Sequence, residues 1–436
     1  MCSARFSFGK AMASKKTILL SLYDLVWTAA LPALSISPRL REGWSDRLLR
    51  GEGSERRDVW IQAASGGEAY LAVEIVQRLL SRRRGRILLS SGTSQGLGVL
   101  LGSLRQMSRM KEGSSVRVRY FPFDMPRVMR KALQLWRPRV VVLLETELWP
   151  GLLWACREAR VPVVVLNGRL SSSSLRGYGL SGGFWESVGP REIHAVSPQD
   201  GERFRRVFTT SQVHIMKNIK FDRISIPDTT AEPTHIFDSI LPETTPLLVL
   251  GSVRKEEEGD VLKVIRVVTE VVPEAVIALF PRHMHRLKPW ERALGSSGVP
   301  WERRSKARGP LKGGTILLCD RFGELNRVYD RAQAVFVGGT LRPCGGQNFL
   351  EPLRFGLVPC IGPHWDHFGW VGRAIVDMGL VREVRDWRGL ARALVMDLVS
   401  PARRDEILPK VAAYLKERTG GAERAAEIIA AYLDPS

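Results

Sequence analysis

From Val59 onward, short apolar runs alternate with amphipathic segments. Val59–Ser65 (VWIQAAS), Arg86–Ser91 (RILLSS), Arg117–Asp124 (RVRYFPFD), Arg139–Glu147 (RVVVLLETE) and Pro162–Arg169 (PVVVLNGR) are strand-like. Their near-continuous apolar character is that of strands covered on both faces. Between them, Gly66–Leu80 and Gly92–Leu104 open on glycine turns and carry helical spacing, as do Arg127–Trp136 and Leu152–Ala159. His194–Val196 and Val213–Met216 read as the last strands of this series. Ile226 to Thr245, with Pro227, Pro233 and Pro242, has no periodicity and reads as a linker. A second series follows: Leu247–Ser252, Ala275–Pro281, Thr315–Asp320, Ala334–Gly339 and Val358–Pro363 as strands, with helices between.

Strands alternating with helices predict an α/β chain built on two parallel, doubly wound, Rossmann-like sheets. The expected division is an N-terminal segment 1–50, a first domain 51–225, a linker 226–245 and a second domain 246–436. Two such halves are expected to face a cleft lined by the carboxyl ends of their strands, where ligands of this architecture bind.

The opening stretch, Thr17 to Ser37, is mostly apolar and long enough to span a bilayer. Asp24 and Pro32 weigh against a span, because a carboxylate at membrane depth costs a few kcal/mol. An anchor, an interfacial helix and a cleaved signal compete, and membrane association is preferred. With 436 residues, 44% hydrophobic and 25% charged, the chain is globular and large enough for two cores. Lys and Arg outnumber Asp and Glu by 65 to 45, which calls for an anionic partner. Five scattered cysteines without a CxxC pair fit a reducing compartment.

Candidate chemistry gathers where strands end. Glu68 falls in the first turn of the helix after the first strand. There it is either a general base for an incoming hydroxyl or a complement to the helix dipole. Glu145 and Glu147 follow a strand at i and i+2, an expensive pairing unless a hydroxyl or cation is near. Lys220 lies at the start of the linker, where a solvated lysine is the common outcome. Arg282 and His283 follow the strand Ala275–Phe280 and suit a phosphate. Gly323, Glu324 and Leu325 form a turn after Thr315–Asp320 that also reads as a plain helix start. Asn348 with Glu351 three residues on forms a capping box, which either only starts a helix or aims its N–H groups at an anion. The histidines lack zinc-site spacing, no GxxxxGK[ST] or HExxH pattern occurs, and Gly92, Gly96 and Gly98 do not make GxGxxG. Aromatic residues are not interleaved with the basic ones as a nucleic-acid groove requires.

In order along the chain, WIQAASGGEA, YFPFDMP, ETELWP, LNGRLSSSSLRGY, NIKFD, PRH, FGEL and FVGG…GGQNFLEPLRFG…GPHWDHF resemble the motifs of the 3-deoxy-D-manno-octulosonic acid (Kdo) transferases of lipid A biosynthesis. The resemblance runs from about Trp44 to Asp366. It implies an inverting GT-B glycosyltransferase at the cytoplasmic face of the inner membrane, moving Kdo from CMP-Kdo to a lipid A precursor (lipid IVA) in lipopolysaccharide biosynthesis, without metal or cofactor. It further implies Glu68 as the general base, Glu145 and Lys220 as transition-state stabilisers, and Arg282, His283, Gly323, Glu324, Leu325, Asn348 and Glu351 as the CMP site. Nucleic acid is not an expected partner. The chain departs from the family pattern at Gln62, Lys217, Val253-Arg254 and Gln347, where His, Gly, Thr-His and His are usual. A GT-B-like sugar-nucleotide epimerase or hydrolase and a noncatalytic sugar-nucleotide binder are the competing readings.

Overall fold

Strands apolar on both faces need helices on both sides, and the chain supplies them in two sets. The computed structural model describes residues 3–106, 113–179, 182–226, 237–242 and 244–434. It divides into two compact units, Met1–Arg223 with Arg418–Ser436, and Ile224–Glu417.

In the first unit, β1 (Val59–Ala63), β2 (Arg86–Ser91), β3 (Ser115–Tyr120), β4 (Val140–Leu144), β5 (Val163–Gly168), β6 (Glu192–Ala195) and β7 (Gln212–Ile215) form one sheet. Their order is β3-β2-β1-β4-β5-β6-β7, with every pairing parallel. Side chains alternate between its two faces. Trp60, Leu88, Val141, Leu143 and Val165 enter one buried cluster. Ile61, Leu89, Val142, Val164 and Leu166 enter another. The helices of this unit include α1 (Ser3–Ile36), α2 (Gly66–Arg82), α3 (Ser94–Gln106), α4 (Pro126–Trp136), α5 (Pro150–Glu158) and α6 (Ser172–Gly179). The inner face of α2 buries Leu71, Ile75, Val76, Leu79 and Leu80, each worth about 1.5–3 kcal/mol relative to exposure.

One expectation about the ends of the chain changes. Residues 418–436, expected with the second domain, pack in the first unit. The cause is local. Both carboxylate oxygens of Asp222 accept backbone N–H groups, from Gly420 at 2.6 Å and Ala422 at 2.8 Å, and so cap the C-terminal helix Gly421–Ala431. A Cβ on Gly421 would lie 2.4 Å from the carbonyl of Lys217, so only glycine permits that approach. Ala425, Ala426, Ile428 and Ile429 then join the cluster beneath α2.

The N-terminal apolar stretch lies within α1, and among the described residues no helix is long and apolar enough to cross a membrane. Polar groups on α1 are instead engaged with the fold. The Tyr23 hydroxyl donates to Asp124 at 3.0 Å, and Trp27 packs on Phe123 with ring centroids 5.7 Å apart. The outer side of α1 exposes Leu22 (52%), Leu25 (63%), Val26 (65%) and Ile36 (80%), an apolar stripe at helical spacing.

In the second unit, β8 (Leu247–Val253), β9 (Val276–Pro281), β10 (Trp301–Arg303), β11 (Ile316–Leu318), β12 (Ala334–Val337), β13 (Cys360–Ile361) and β14 (Arg382–Glu383) form a second parallel sheet. Its order is β10-β11-β9-β8-β12-β13-β14. Most of the expected linker, 227–236 and 243, lies outside the described residues.

Replacing Asp222 with Ala removes both capping bonds, at a typical cost of about 1–2 kcal/mol. Amides of Ala425–Ala431 are then expected to exchange with solvent faster by about 5- to 30-fold. Unchanged exchange would mean that packing alone holds the helix.

Candidate active site

Strand order reverses between β1 and β4 in the first sheet and between β8 and β12 in the second. Helices leave such neighbours toward opposite faces, which opens the carboxyl edge to a ligand. The residues singled out from the sequence fall largely at these two places.

At the first, β1 ends at Ala63 and α2 begins at Gly66. Glu68 reaches back to the start of its own helix, where its Oε2 accepts from the Ser65 backbone N–H at 2.6 Å and from the Ser65 hydroxyl at 2.7 Å. Its Oε1 takes no hydrogen bond among the described residues. Capping therefore occupies one oxygen, and the two readings of Glu68 are compatible.

After β4 the chain does not continue as a strand. Glu145 has φ 57°, a left-handed conformation uncommon for a residue with a side chain, so Glu145 and Glu147 lie in a turn and not along one strand face. Glu145 Oε1 pairs with Lys220 Nζ at 2.6 Å. The lysine comes from the short 3-10 turn Ile219–Arg223 that follows β7. Asn167, at the end of β5 and also left-handed at φ 57°, brings the two together: its Oδ1 accepts from Ile219 N at 2.9 Å while its Nδ2 approaches Glu145 Oε1 at 3.5 Å. Asn167 is fully buried and carried no assignment from the sequence, although an Asn-Gly pair ending an apolar run is a signal for such a position. Glu147 shares the cluster. Burial, then the charge of Glu68, push its carboxyl up to about 7.

At the second reversal, a buried carboxylate ties the two loops together. Glu257, from the turn after β8, accepts from Arg254 N and from Gly339 N, which follows β12. The glycines are required by crowding, since a Cβ on Gly338 would lie 2.6 Å from the carbonyl of Ser252. From the sequence, Glu257 was indistinguishable from its neighbours in the run Glu256-Glu257-Glu258.

Arg282 and His283 follow β9, and the Arg282 backbone N–H donates to the Val253 carbonyl at 2.8 Å, joining these loops. His283 stacks on His285 with centroids 5.4 Å apart. Partial desolvation, then the charges of Arg254 and Arg282, hold the His283 imidazole below its ordinary range. Three cationic or titratable groups thus converge, an arrangement suited to a polyanion. Arg254 stands among them as one of the departures from the family pattern.

The Gly323 turn is left-handed at φ 81°, and Glu324 within it is buried and paired with Arg304 at 3.2 Å. Its carboxylate is therefore committed, and the turn through Leu325 offers backbone groups. The expected helix at Asn348 amounts to four residues, Leu350–Leu353, with Phe349 at its cap. Asn348 Oδ1 accepts from Leu350 N at 3.3 Å, and its Nδ2 donates to Glu351 Oε1 at 2.9 Å. The Asn–Glu pair forms, but between side chains and on a single turn, too short to sum a strong dipole. Among the described residues, no group of three or more His, Cys, Asp or Glu is arranged to hold a metal ion.

The chain is similar to known proteins. Residues 42–223 match the family of 3-deoxy-D-manno-octulosonic-acid transferases (kdotransferases). Over 384 residues the chain is 28% identical to the 3-deoxy-D-manno-octulosonic acid transferase of Bordetella pertussis, covering 86% of this chain and 87% of that protein. Over 406 residues it is 27% identical to the transferase of the same name from Haemophilus influenzae, covering 91% and 93%. Among solved structures, Anabaena HepE in complex with UDP is similar with a TM-score of 0.57 at 13% identity, over 86% of this chain and 99% of that one. A glycosyltransferase from Rickettsia africae gives 0.56 at 10% identity, over 88% and 100%. At these identities the two structures speak for the fold alone.

Because like charges depress His283, a bound anion must favour its protonation. In a pH titration followed by NMR, the His283 ring is expected to titrate below 6.5 in the free protein and to shift upward on adding inorganic pyrophosphate. Pyrophosphate affinity is accordingly expected to rise as pH falls through that range. A free-protein titration at or above 6.5 would contradict the convergence of Arg254 and Arg282 on this ring.

Proposed function

We propose that this chain, which matches the Kdo transferase family over residues 42–223 and is 27–28% identical to Kdo transferases over most of its length, transfers Kdo from CMP-Kdo to the lipid A precursor lipid IVA, with inversion. The observation that carries this reading is that Glu68 and the Glu145–Lys220 pair both lie at the carboxyl edge of one sheet, with Glu68 and Glu145 each within electrostatic reach of Glu147.

Glu68 is held at the start of α2 by Ser65 through one oxygen, which leaves the other for the acceptor. In this reading the acceptor hydroxyl oxygen attacks the anomeric carbon of Kdo as its proton passes to Glu68. The bond from that carbon to the phosphate oxygen breaks, and its electron pair leaves with CMP. The sugar passes through an oxocarbenium-like state, as in glycoside hydrolysis. The Glu145–Lys220 pair supplies fixed charge of both signs beside it, with little reorganisation because Asn167 holds the parts in place.

The donor falls to the second unit. Arg282 and His283, with Arg254, take the phosphate; the Gly323-Glu324-Leu325 turn offers backbone groups, and Asn348 with Glu351 bind the nucleoside. Charge stabilisation on the departing phosphate comes from these cationic side chains, and the reading includes no metal.

The apolar stripe of α1 supports a place on the cytoplasmic face of the inner membrane. An interfacial helix buries such a stripe among lipid headgroups and acyl chains. The excess of Lys and Arg favours an anionic leaflet and an acidic acceptor.

Incubated with CMP-Kdo and lipid IVA, the purified protein is expected to yield CMP and a lipid heavier by Kdo, read by mass spectrometry. Glu68→Gln keeps a capping oxygen but accepts no proton, and should lower the rate by about 10²- to 10⁴-fold. Full activity of this variant would remove Glu68 from the role of base. CMP release without acceptor would instead favour a hydrolase or epimerase. For the membrane, replacing Leu22, Leu25 and Val26 together with Ser is expected to release the protein from vesicles of anionic phospholipid in a flotation assay. Undiminished binding would reject the stripe as the contact.

A further inference from the structure

The segment YFPFDMP has no part in the reaction so far, yet its aspartate joins three elements of the first unit. Asp124 is buried, and three donors meet its carboxyl. Two come from α5. That helix begins at Pro150, which has no N–H, and its N-cap residue, Trp149, supplies no side-chain acceptor. The first free amides, Gly151 N and Leu152 N, donate instead to Asp124, at 2.8 and 2.7 Å. A Cβ on Gly151 would lie 2.4 Å from the Asp124 carbonyl oxygen, so this approach needs glycine. The third donor is the Tyr23 hydroxyl of α1, at 3.0 Å.

Residues 145–149 are the turn between β4 and α5. One end of the turn is fixed by the sheet, where Glu145 N donates to the Leu166 carbonyl at 3.0 Å. The other end is the start of α5, which Asp124 holds. Trp149, the last residue of the turn, packs on Phe121 with ring centroids 5.1 Å apart and gives its indole N–H to Glu147 Oε2 at 2.7 Å. Helix α1 bears on the same segment a second time, through Trp27 on Phe123. The left-handed backbone of Glu145 persists only while its surroundings hold it, so both ends of the turn matter.

We propose that the seat of α1 is a positioning element of the active site: through Tyr23 and Asp124 it sets the turn that carries Glu145 and Glu147, a role that rests on the reading of Glu145 as part of the reacting site. Tyr23 and Asp124 act through that turn and not on the substrate. Because the outer stripe of α1 is the proposed lipid contact, one helix then joins the membrane surface to turnover.

The test compares Tyr23→Phe, Asp124→Asn and the double variant of the full chain in acceptor-dependent transfer. Tyr23→Phe removes one hydroxyl and leaves the apolar stripe intact, so flotation with vesicles of anionic phospholipid should be unchanged. Its kcat is expected to fall about tenfold with KM for CMP-Kdo unchanged, and that of Asp124→Asn by up to about 100-fold, the scale of a small misplacement of a reacting group. Since Tyr23 acts through Asp124, the double variant should be no slower than Asp124→Asn alone. Full kcat in Tyr23→Phe overturns the proposal, as does a double variant slowed by the product of the two single effects. Lost flotation in Tyr23→Phe would assign its defect to membrane binding, and a raised KM for CMP-Kdo to donor binding; either also overturns it. The Trp149 indole N–H signal in NMR supplies a readout apart from turnover that needs only the milder variant. It should shift in Tyr23→Phe, although no hydrogen bond or ring contact joins Tyr23 to Trp149 among the described residues. An unmoved signal means that the seat of α1 does not reach the turn, and the proposal fails. Should the unmodified enzyme make no Kdo lipid, the transfer reaction itself fails, while the Trp149 signal still reports the coupling.

Discussion

Parallel strands bury both faces, so almost every polar group in such a sheet must be met at its ends. Where strand order reverses, the helices that follow neighbouring strands depart to opposite sides, and the loops between have no helix above them. Both sheets of this chain contain such a reversal, and in each it holds the groups best suited to chemistry. In the first unit these are carboxylates with one lysine; in the second they are guanidinium groups and an imidazole, braced by one buried carboxylate. The same topology thus carries opposite charge in its two copies, in keeping with the proposal that a hydroxyl is deprotonated at one and a nucleoside phosphate held at the other.

Fixing these groups requires departures from regular backbone. Glu145, Asn167 and Ser252 all adopt left-handed conformations just where strands end. Such conformations cost of order 1–3 kcal/mol each and persist when surroundings hold them. Asn167 is held by its bond to Ile219, and Glu145 by its backbone bond to the Leu166 carbonyl at 3.0 Å. Placement of charge here is a property of the β4, β5 and β7 ends acting together, which no single motif contains.

This explains what could be read from the sequence. The strands were legible because burial on both faces leaves runs such as Val140–Leu144 with no polar residue. Glu68 was legible because a helix start follows directly from Ser65-Gly66-Gly67. Three features were hidden for physical reasons. The left-handed turn at Glu145 follows from tertiary bonds, so a strand continuing through Glu147 was the natural expectation. The box at Asn348 starts only one turn, because Gly356, at φ 72°, and the short β13 soon after leave no room for a longer helix. Residues 418–436 look like any amphipathic ending, and only the distant carboxylate of Asp222 ties them to the first unit.

The return of those residues makes the first unit discontinuous in sequence, with the whole of Ile224–Glu417 inserted into it. During synthesis, the second unit emerges complete before the last helix of the first exists. The first sheet must therefore wait with the inner surface meant for Ala425, Ala426 and Ile429 uncovered, while another domain folds within its own chain. Joining the ends across so long an insertion adds only a modest entropic cost, because closure entropy grows with the logarithm of loop length. The helix Gly421–Ala431 then acts as a latch on a unit begun hundreds of residues earlier, and a chain released short of it would carry an open apolar seam in its first domain.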